Sequence, residues 1–147
     1  MIEFRIVHKA AQKAAIDAIL DLDLDGSHTV RIVAKGSKSA RQRGYQWTLY
    51  KAIIKSGKGD ADTTEELDAR VKYRARDIFF EEDDLLSDLF AHVVINYPTQ
   101  LQKFISEYLH TERLSTAQMA QYLTSIIQYY GRDITLPHPE DGLINPQ

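Results

Sequence analysis

The sequence predicts an α+β fold, with a small sheet of two or three strands, five or six helices, and a helix-rich C-terminal half. Three observations lead there. Ile2, Phe4 and Ile6 alternate with Glu3, Arg5 and Val7 at the N-terminus, a period-two pattern with one clearly apolar face. Thr29 to Ala34 is rich in β-branched residues. From about residue 63 to 130, apolar residues recur at helical spacing in one run after another.

Taken in order, the first strand is followed by a helix from about His8 to Leu20. Ala11, Ala15, Ile16, Ile19 and Leu20 recur at helical spacing, and alanine is the best helix former. The acidic run from Asp21 to Asp25 ends it, with Gly26 as the turn residue. The second strand, Thr29 to Ala34, runs into a break at Gly36 and Ser37. A helix from about Ala40 to Ser56 has Trp47, Tyr50 and Ile54 near one face, Leu49 and Ile53 close by, and Arg43 and Lys51 on the flanks. Beyond a short polar linker, Thr63 and Glu66 make a capping-box pattern. That helix carries Leu67, Val71, Ala75 and Ile78 inward. Its outer face is basic, with Arg70 and Arg74 as one i,i+4 pair and Lys72 and Arg76 as another.

The acids Glu81 to Asp84 open a helix through Leu86, Leu89, Phe90 and Val93, where they complement the helix dipole. Pro98 suits the first turn of the next helix, whose stripe is Leu101, Phe104, Ile105, Tyr108 and Leu109. Ser115 and Gln118 form a second capping box. Met119, Tyr122, Leu123, Ile126, Ile127 and Tyr130 follow as the cleanest amphipathic stripe, which Gly131 stops. The tail holds three of the four prolines and reads as irregular. One domain is expected over residues 1–147, in three parts. These are a strand-and-helix segment to 58, a helical region over 60–131 and the tail over 132–147.

Charge is sorted along the chain. Between Gly26 and Gly59 lie eight Lys or Arg residues and no Asp or Glu, while the rest carries ten basic and twenty-one acidic residues. The only tryptophan, Trp47, lies in this segment with Tyr45 and Tyr50. Positive charge attracts phosphate and flat rings stack on unpaired bases, so the segment points to a nucleic acid. Lys35, Lys38, Arg41 and Arg43 are the phosphate candidates, and Trp47 or Tyr45 the stacking face. The same residues also fit a solvated basic face around a core tryptophan. Arg113, in the connection before Ser115, fits either a phosphate contact or a salt bridge to Glu107 or Glu112.

Other chemistries find little support. There is no cysteine, which removes disulfides, thiolate zinc sites and cysteine nucleophiles and fits a reducing cytoplasm. The five histidines include no i,i+3 or i,i+4 pair, and no zinc-protease, phosphate-loop, nucleophile-elbow or dinucleotide motif occurs. Asp21, Asp23, Asp25 and Gly26 resemble the opening of a calcium loop, but the twelfth position is Ile32 rather than a glutamate, so an acidic turn is expected. Glu81 to Asp84 could hold a divalent ion in a nuclease, though helix capping suits their spacing better. His92 is expected to be partly buried and satisfied. No run is long and apolar enough for a membrane span, and the N-terminus does not read as a signal peptide. A soluble, cytoplasmic protein without cofactors is expected.

Three stretches together resemble the NinB family of phage recombination proteins. The first is Glu3-Phe4-Arg5-Ile6 with the helix through Ile19. The second is Ser39, Gln42 and Trp47 at their spacing within the basic segment, and the third is Thr111-Glu-Arg113 leading into the helix from Met119 to Tyr130. The resemblance covers about half the chain. It implies a homodimer without a catalytic site that binds single-stranded DNA, works alongside the host single-strand-binding protein, and helps load a strand-exchange or annealing protein. Gln42, Trp47 and Arg113 fall on positions that the family uses for DNA. Lys38, Arg41 and Arg43 join them by charge and proximity. The chain departs from the family between Asp60 and His110, and its tail is acidic and proline-containing where the family's is basic and helical. Two other readings remain. One is a module for the acidic tail of the single-strand-binding protein; the other is a metal-dependent nuclease.

Overall fold

A computed structural model describes residues 2–4, 6, 8–32 and 37–144. Among them the chain is helical and no strand forms, which corrects the expected α+β class. The described parts of the two runs predicted as strands carry no regular secondary structure: residues 2–4 and 6 in one, 29–32 in the other. Arg5, Val7, Val33, Ala34 and Lys35 lie outside the described residues. Strand propensity measures how well a side chain fits a pleated, half-buried surface, and it is realised only when another strand supplies that surface. Ile2, Ile6 and Ile32 instead remain exposed.

The chain divides into two units, residues 1–35 and 36–147. The first contains α1 (Lys9–Leu20), one residue shorter than expected, because the ring Nδ1 of His8 caps it by accepting from the Ala11 amide at 3.1 Å. No residue of α1 is buried. Past it, the Asp25 carboxylate accepts from the Ser27 amide at 2.9 Å and from its hydroxyl. The Ser27 hydroxyl and amide hold this carboxyl below its usual range. The acidic stretch is thus a turn, as its spacing suggested.

The second unit is a helical bundle of α2 (Lys38–Ser56), α3 (Thr64–Arg74), α4 (Arg76–Phe80), α5 (Asp84–Asn96), α6 (Leu101–Tyr108) and α7 (Thr116–Tyr130). Single 3-10 turns stand at Pro98–Gln100 and Thr111–Arg113. The ends follow local chemistry. Ser37, Thr63, Asp83 and Ser115 cap α2, α3, α5 and α7, each side-chain oxygen accepting the backbone N–H three residues on. At Ser115 the box is complete, with Gln118 reaching back to the cap amide at 2.9 Å. Gly57, at φ 68°, closes α2 in the left-handed conformation. The core lies where α2 packs on α7 and α3, and α3 on α6. Leu49, Tyr50, Ile53, Leu67, Leu109, Tyr122, Leu123 and Ile126 are its most deeply buried apolar side chains.

A polar chain runs through this core. Tyr50 donates to Asp68 at 2.8 Å and contacts the Tyr122 hydroxyl at 2.6 Å, and Gln46 donates to Tyr50 at 3.1 Å. Tyr50 has one proton and gives it to Asp68, so Tyr122 is the donor to Tyr50. Asp68 then pairs with Lys72 at 2.7 Å. The expected basic outer face of α3 is therefore not what forms. Lys72 is buried, Arg74 pairs with Asp60 at 3.1 Å, and Arg76 lies over the Tyr73 ring. His92 also differs from expectation: it is exposed, 3.1 Å from the Asn96 amide.

Candidate nucleic-acid interface

α2 carries the centre of the acid-free segment, and nineteen residues make it about 28 Å long. Its inward face is Gln42, Tyr45, Gln46, Leu49, Tyr50 and Ile53. That stripe turns Trp47 outward, so of the accessible and core positions that the sequence leaves open for the indole it takes the accessible one. Trp47 is 49% exposed. The ring of Tyr50 meets it edge-on, with centroids 5.6 Å apart, and holds the indole with surface free. Arg43 lies one turn before Trp47 and Lys51 one turn after, with Lys55 a further turn on; Lys51 and Lys55 are exposed and Arg43 partly so. Among the described residues none of these cations has a carboxylate partner. Gly44 and Thr48 fill the gaps between them, and a Cβ at Gly44 would meet nothing within 4 Å. Lys51 and Lys55 were missed as contacts from sequence, although they continue the four-residue repeat that starts at Arg43.

The start of α2 is built differently. Lys38 is partly buried in the first turn, and no acid offsets the positive end of the helix dipole. Arg41 meets Glu140 of the tail at 3.1 Å, while its Nε is buried without a partner among the described residues. Gln42 is fully buried. Its amide donates to the Thr116 carbonyl at 3.0 Å and the Leu143 carbonyl at 2.9 Å, leaving its own oxygen unpaired among the described residues. Tyr45 donates to the Pro137 carbonyl at 2.6 Å, and burial pushes its phenol up. The tail is thus laid over the first turns of α2, anchored by buried Ile134 and Leu143.

Arg113 ends the 3-10 turn before α7, and its side chain is exposed without a partner among the described residues. The Gln42–Thr116 bond ties the first turn of α7, three residues beyond Arg113, to the start of α2. The structure therefore brings Lys38, Gln42 and the Arg113 turn to one end of α2. Arg43 and Trp47 lie on its outward face, and Arg41 lies beneath the tail.

Two of the acids at 81–84 have structural partners. Asp83 caps α5, and Glu81 accepts from Gln118 at 3.0 Å. Among the described residues no group of three or more His, Asp or Glu side chains is placed to hold a metal ion. None of their helices is long and apolar enough to cross a membrane. No family model matches the chain, and no curated protein or solved structure matches it.

Proposed function

We propose that this protein is a non-catalytic, single-strand-specific nucleic-acid-binding protein whose contact surface is the outward face of α2. One observation carries the reading. Arg43, Trp47, Lys51 and Lys55 form a basic face with a half-exposed indole at its centre, on a helix without a single acid. Cations along such a face follow a phosphate backbone, and an accessible indole stacks on a base whatever its identity. Duplex bases are already stacked on one another, so the indole favours single strands. Lys38 and Arg113 extend the positive surface around the end of the helix. Gln42 serves this surface from inside, by fixing the α7 turn against α2. Through the NinB resemblance the reading extends to a homodimeric phage recombination mediator, acting in the bacterial cytoplasm with the host single-strand-binding protein.

The test is anisotropy of a labelled oligonucleotide across a salt series, with tryptophan fluorescence in parallel. Single strands are expected to quench Trp47, and affinity to fall linearly on logarithmic axes as salt rises. Replacing Arg43, Lys51 and Lys55 with alanine removes three phosphate contacts and lowers the slope by about 2. An unchanged slope in the folded triple variant would remove α2 from the site.

A second reading has its own observation: Arg41 already holds a carboxylate from an extended, proline-containing segment, Glu140 of the chain's own tail. A surface that accepts this segment suits the acidic tail of a partner protein equally well. Competition between an acidic peptide and the oligonucleotide separates the two readings.

A further inference from the structure

A cleft of about 250 Å³ opens between the last turns of α3 and α7, and no residue of α2 lines it. Its polar lining is Arg74, Ser125, Gln128, Tyr129, Tyr130 and Arg132, so two arginines line the cleft and no acid does. Arg74 is clamped. Its guanidinium donates to Asp60 at 3.1 Å and to the Tyr130 hydroxyl, and Tyr130 donates to Asp60 at 2.7 Å. The same guanidinium lies over the Tyr129 ring, 3.9 Å from its centroid. A cation there also complements the C-terminal end of α3. These roles account for Arg74, Asp60 and Tyr130. They leave Tyr129, which is 48% exposed, and they leave Gln128 and Arg132, both exposed without a partner among the described residues.

We propose that this cleft is a second nucleotide subsite for a single strand, where one base stacks on Tyr129 and the adjoining phosphate meets Arg132. It rests on the nucleic-acid reading for the class of ligand. The clamp on Arg74 holds the Tyr129 ring in place before a ligand arrives, so little order is lost on stacking. A cation against one ring face draws on the negative quadrupole of the ring and leaves the other face better suited to an electron-rich base. The Gln128 amide offers a donor and an acceptor to the base edge, and Arg132 supplies the positive charge that a phosphate seeks. The volume falls just below that of sites for drug-sized ligands, which suits one nucleotide. Positive charge also continues from the α2 face toward the cleft. Lys55 stands in the last turn of α2, Lys58 is exposed just beyond it, and Asp60 is gripped by Arg74 and Tyr130. Asp60 follows Lys55 by five residues, so the two are at most about 18 Å apart.

Moving the indole separates this subsite from the α2 face. Trp47 is the only tryptophan, so its quenching reads α2 alone. The double variant Trp47→Phe, Tyr129→Trp carries the reporter to the cleft instead. An oligonucleotide of about sixteen nucleotides is expected to quench the indole in either place. With Trp47 kept, Tyr129→Ala should lower affinity about tenfold by anisotropy, and Tyr129→Phe should keep it, since the ring and not the hydroxyl stacks. Arg132→Ala should lower the salt slope by about 0.7, the share of one phosphate in a single strand. Urea unfolding checks that each variant is folded, which the exposed positions favour. A cleft indole that the strand leaves unquenched, while Trp47 is quenched in the wild type, overturns the proposal and leaves the α2 face standing. Quenching in the cleft without quenching of Trp47 removes the α2 face and keeps the cleft. Full affinity in Tyr129→Ala, or an unchanged slope in Arg132→Ala, also overturns the proposal. So does a cleft indole that answers to a nucleoside monophosphate and not to the strand, which would make the cleft a site for free nucleotide.

Discussion

Two buried polar side chains show how much one residue can carry. Lys72 is inside the protein, with its ammonium 2.7 Å from Asp68. Removing one partner of such a pair leaves the other charge without compensation, which costs about 3–5 kcal/mol. Lys72→Met keeps the volume and loses the charge, and is expected to lower urea-unfolding stability by about that amount. Asp68→Asn together with Lys72→Met should recover part of the loss, because no lone charge then remains. Gln42 is the second case. Its amide holds two carbonyls that come from distant parts of the chain. Gln42→Glu would set a carboxylate against both, so it is expected to destabilise by more than about 2 kcal/mol or to expel the tail. Trp47→Ala, by contrast, changes a half-exposed side chain. It should cost less than about 1 kcal/mol of stability but about 1–3 kcal/mol of single-strand affinity, read by anisotropy. Equal effects of Trp47→Ala on stability and binding would return the indole to a scaffold role.

At the scale of elements, the helices of the second unit were legible in the sequence because helix ends are local events. Thr63, Asp83 and Ser115 cap with groups three residues away, and Pro98 and Gly131 act on their own turns, so spacing alone locates them. The N-terminal strands were not legible. Alternation at Ile2, Phe4 and Ile6 describes a surface that only a distant partner could complete, and none forms among the described residues. The direction of Trp47 was left open by the sequence for a related reason. Gln42 and Gln46 look like surface residues by composition, yet both are buried, because the tail and the Tyr50–Asp68 chain supply their partners. With those two glutamines inside, the core stripe of α2 rotates and the indole faces out. The candidate site was legible in its charge and its tryptophan, but the tail across Arg41 was not, since nothing near residue 41 announces Glu140. That contact makes a prediction. The Arg41–Glu140 pair is half in solvent, so Glu140→Gln should change stability by under about 1 kcal/mol. It should nevertheless raise oligonucleotide affinity severalfold at low salt, with the gain fading as salt rises. Unchanged affinity at low salt would show that Arg41 does not face the ligand.

Phenols join the bundle alongside its apolar side chains. Tyr50 links α2 to α3 through Asp68 and to α7 through Tyr122, while Tyr130 joins the end of α7 to Asp60 and Arg74. Burial pushes all three phenols up, with the neighbouring Asp68 charge adding to it at Tyr50 and Tyr122 and the hydrogen bond to Asp60 adding to it at Tyr130. The consequence for pH follows by linkage. An unfolded tyrosine releases its proton near 10, whereas these stay protonated in the fold to higher pH. Their contribution to stability is therefore complete below pH about 10 and declines as pH rises from there toward the folded values, because the unfolded state then binds fewer protons than the native one. Urea midpoints are expected to hold steady from pH 8 to about 10 and to drop steeply above it. Absorbance at the tyrosinate band should rise together with unfolding rather than before it. Tyr122→Phe removes one of the three phenols at the cost of an unpaired Tyr50 lone pair, so it should be less stable than wild type at neutral pH and lose less on going alkaline. If the variant and the wild type lose stability in parallel above pH 10, the buried phenols are not what couples this bundle to pH.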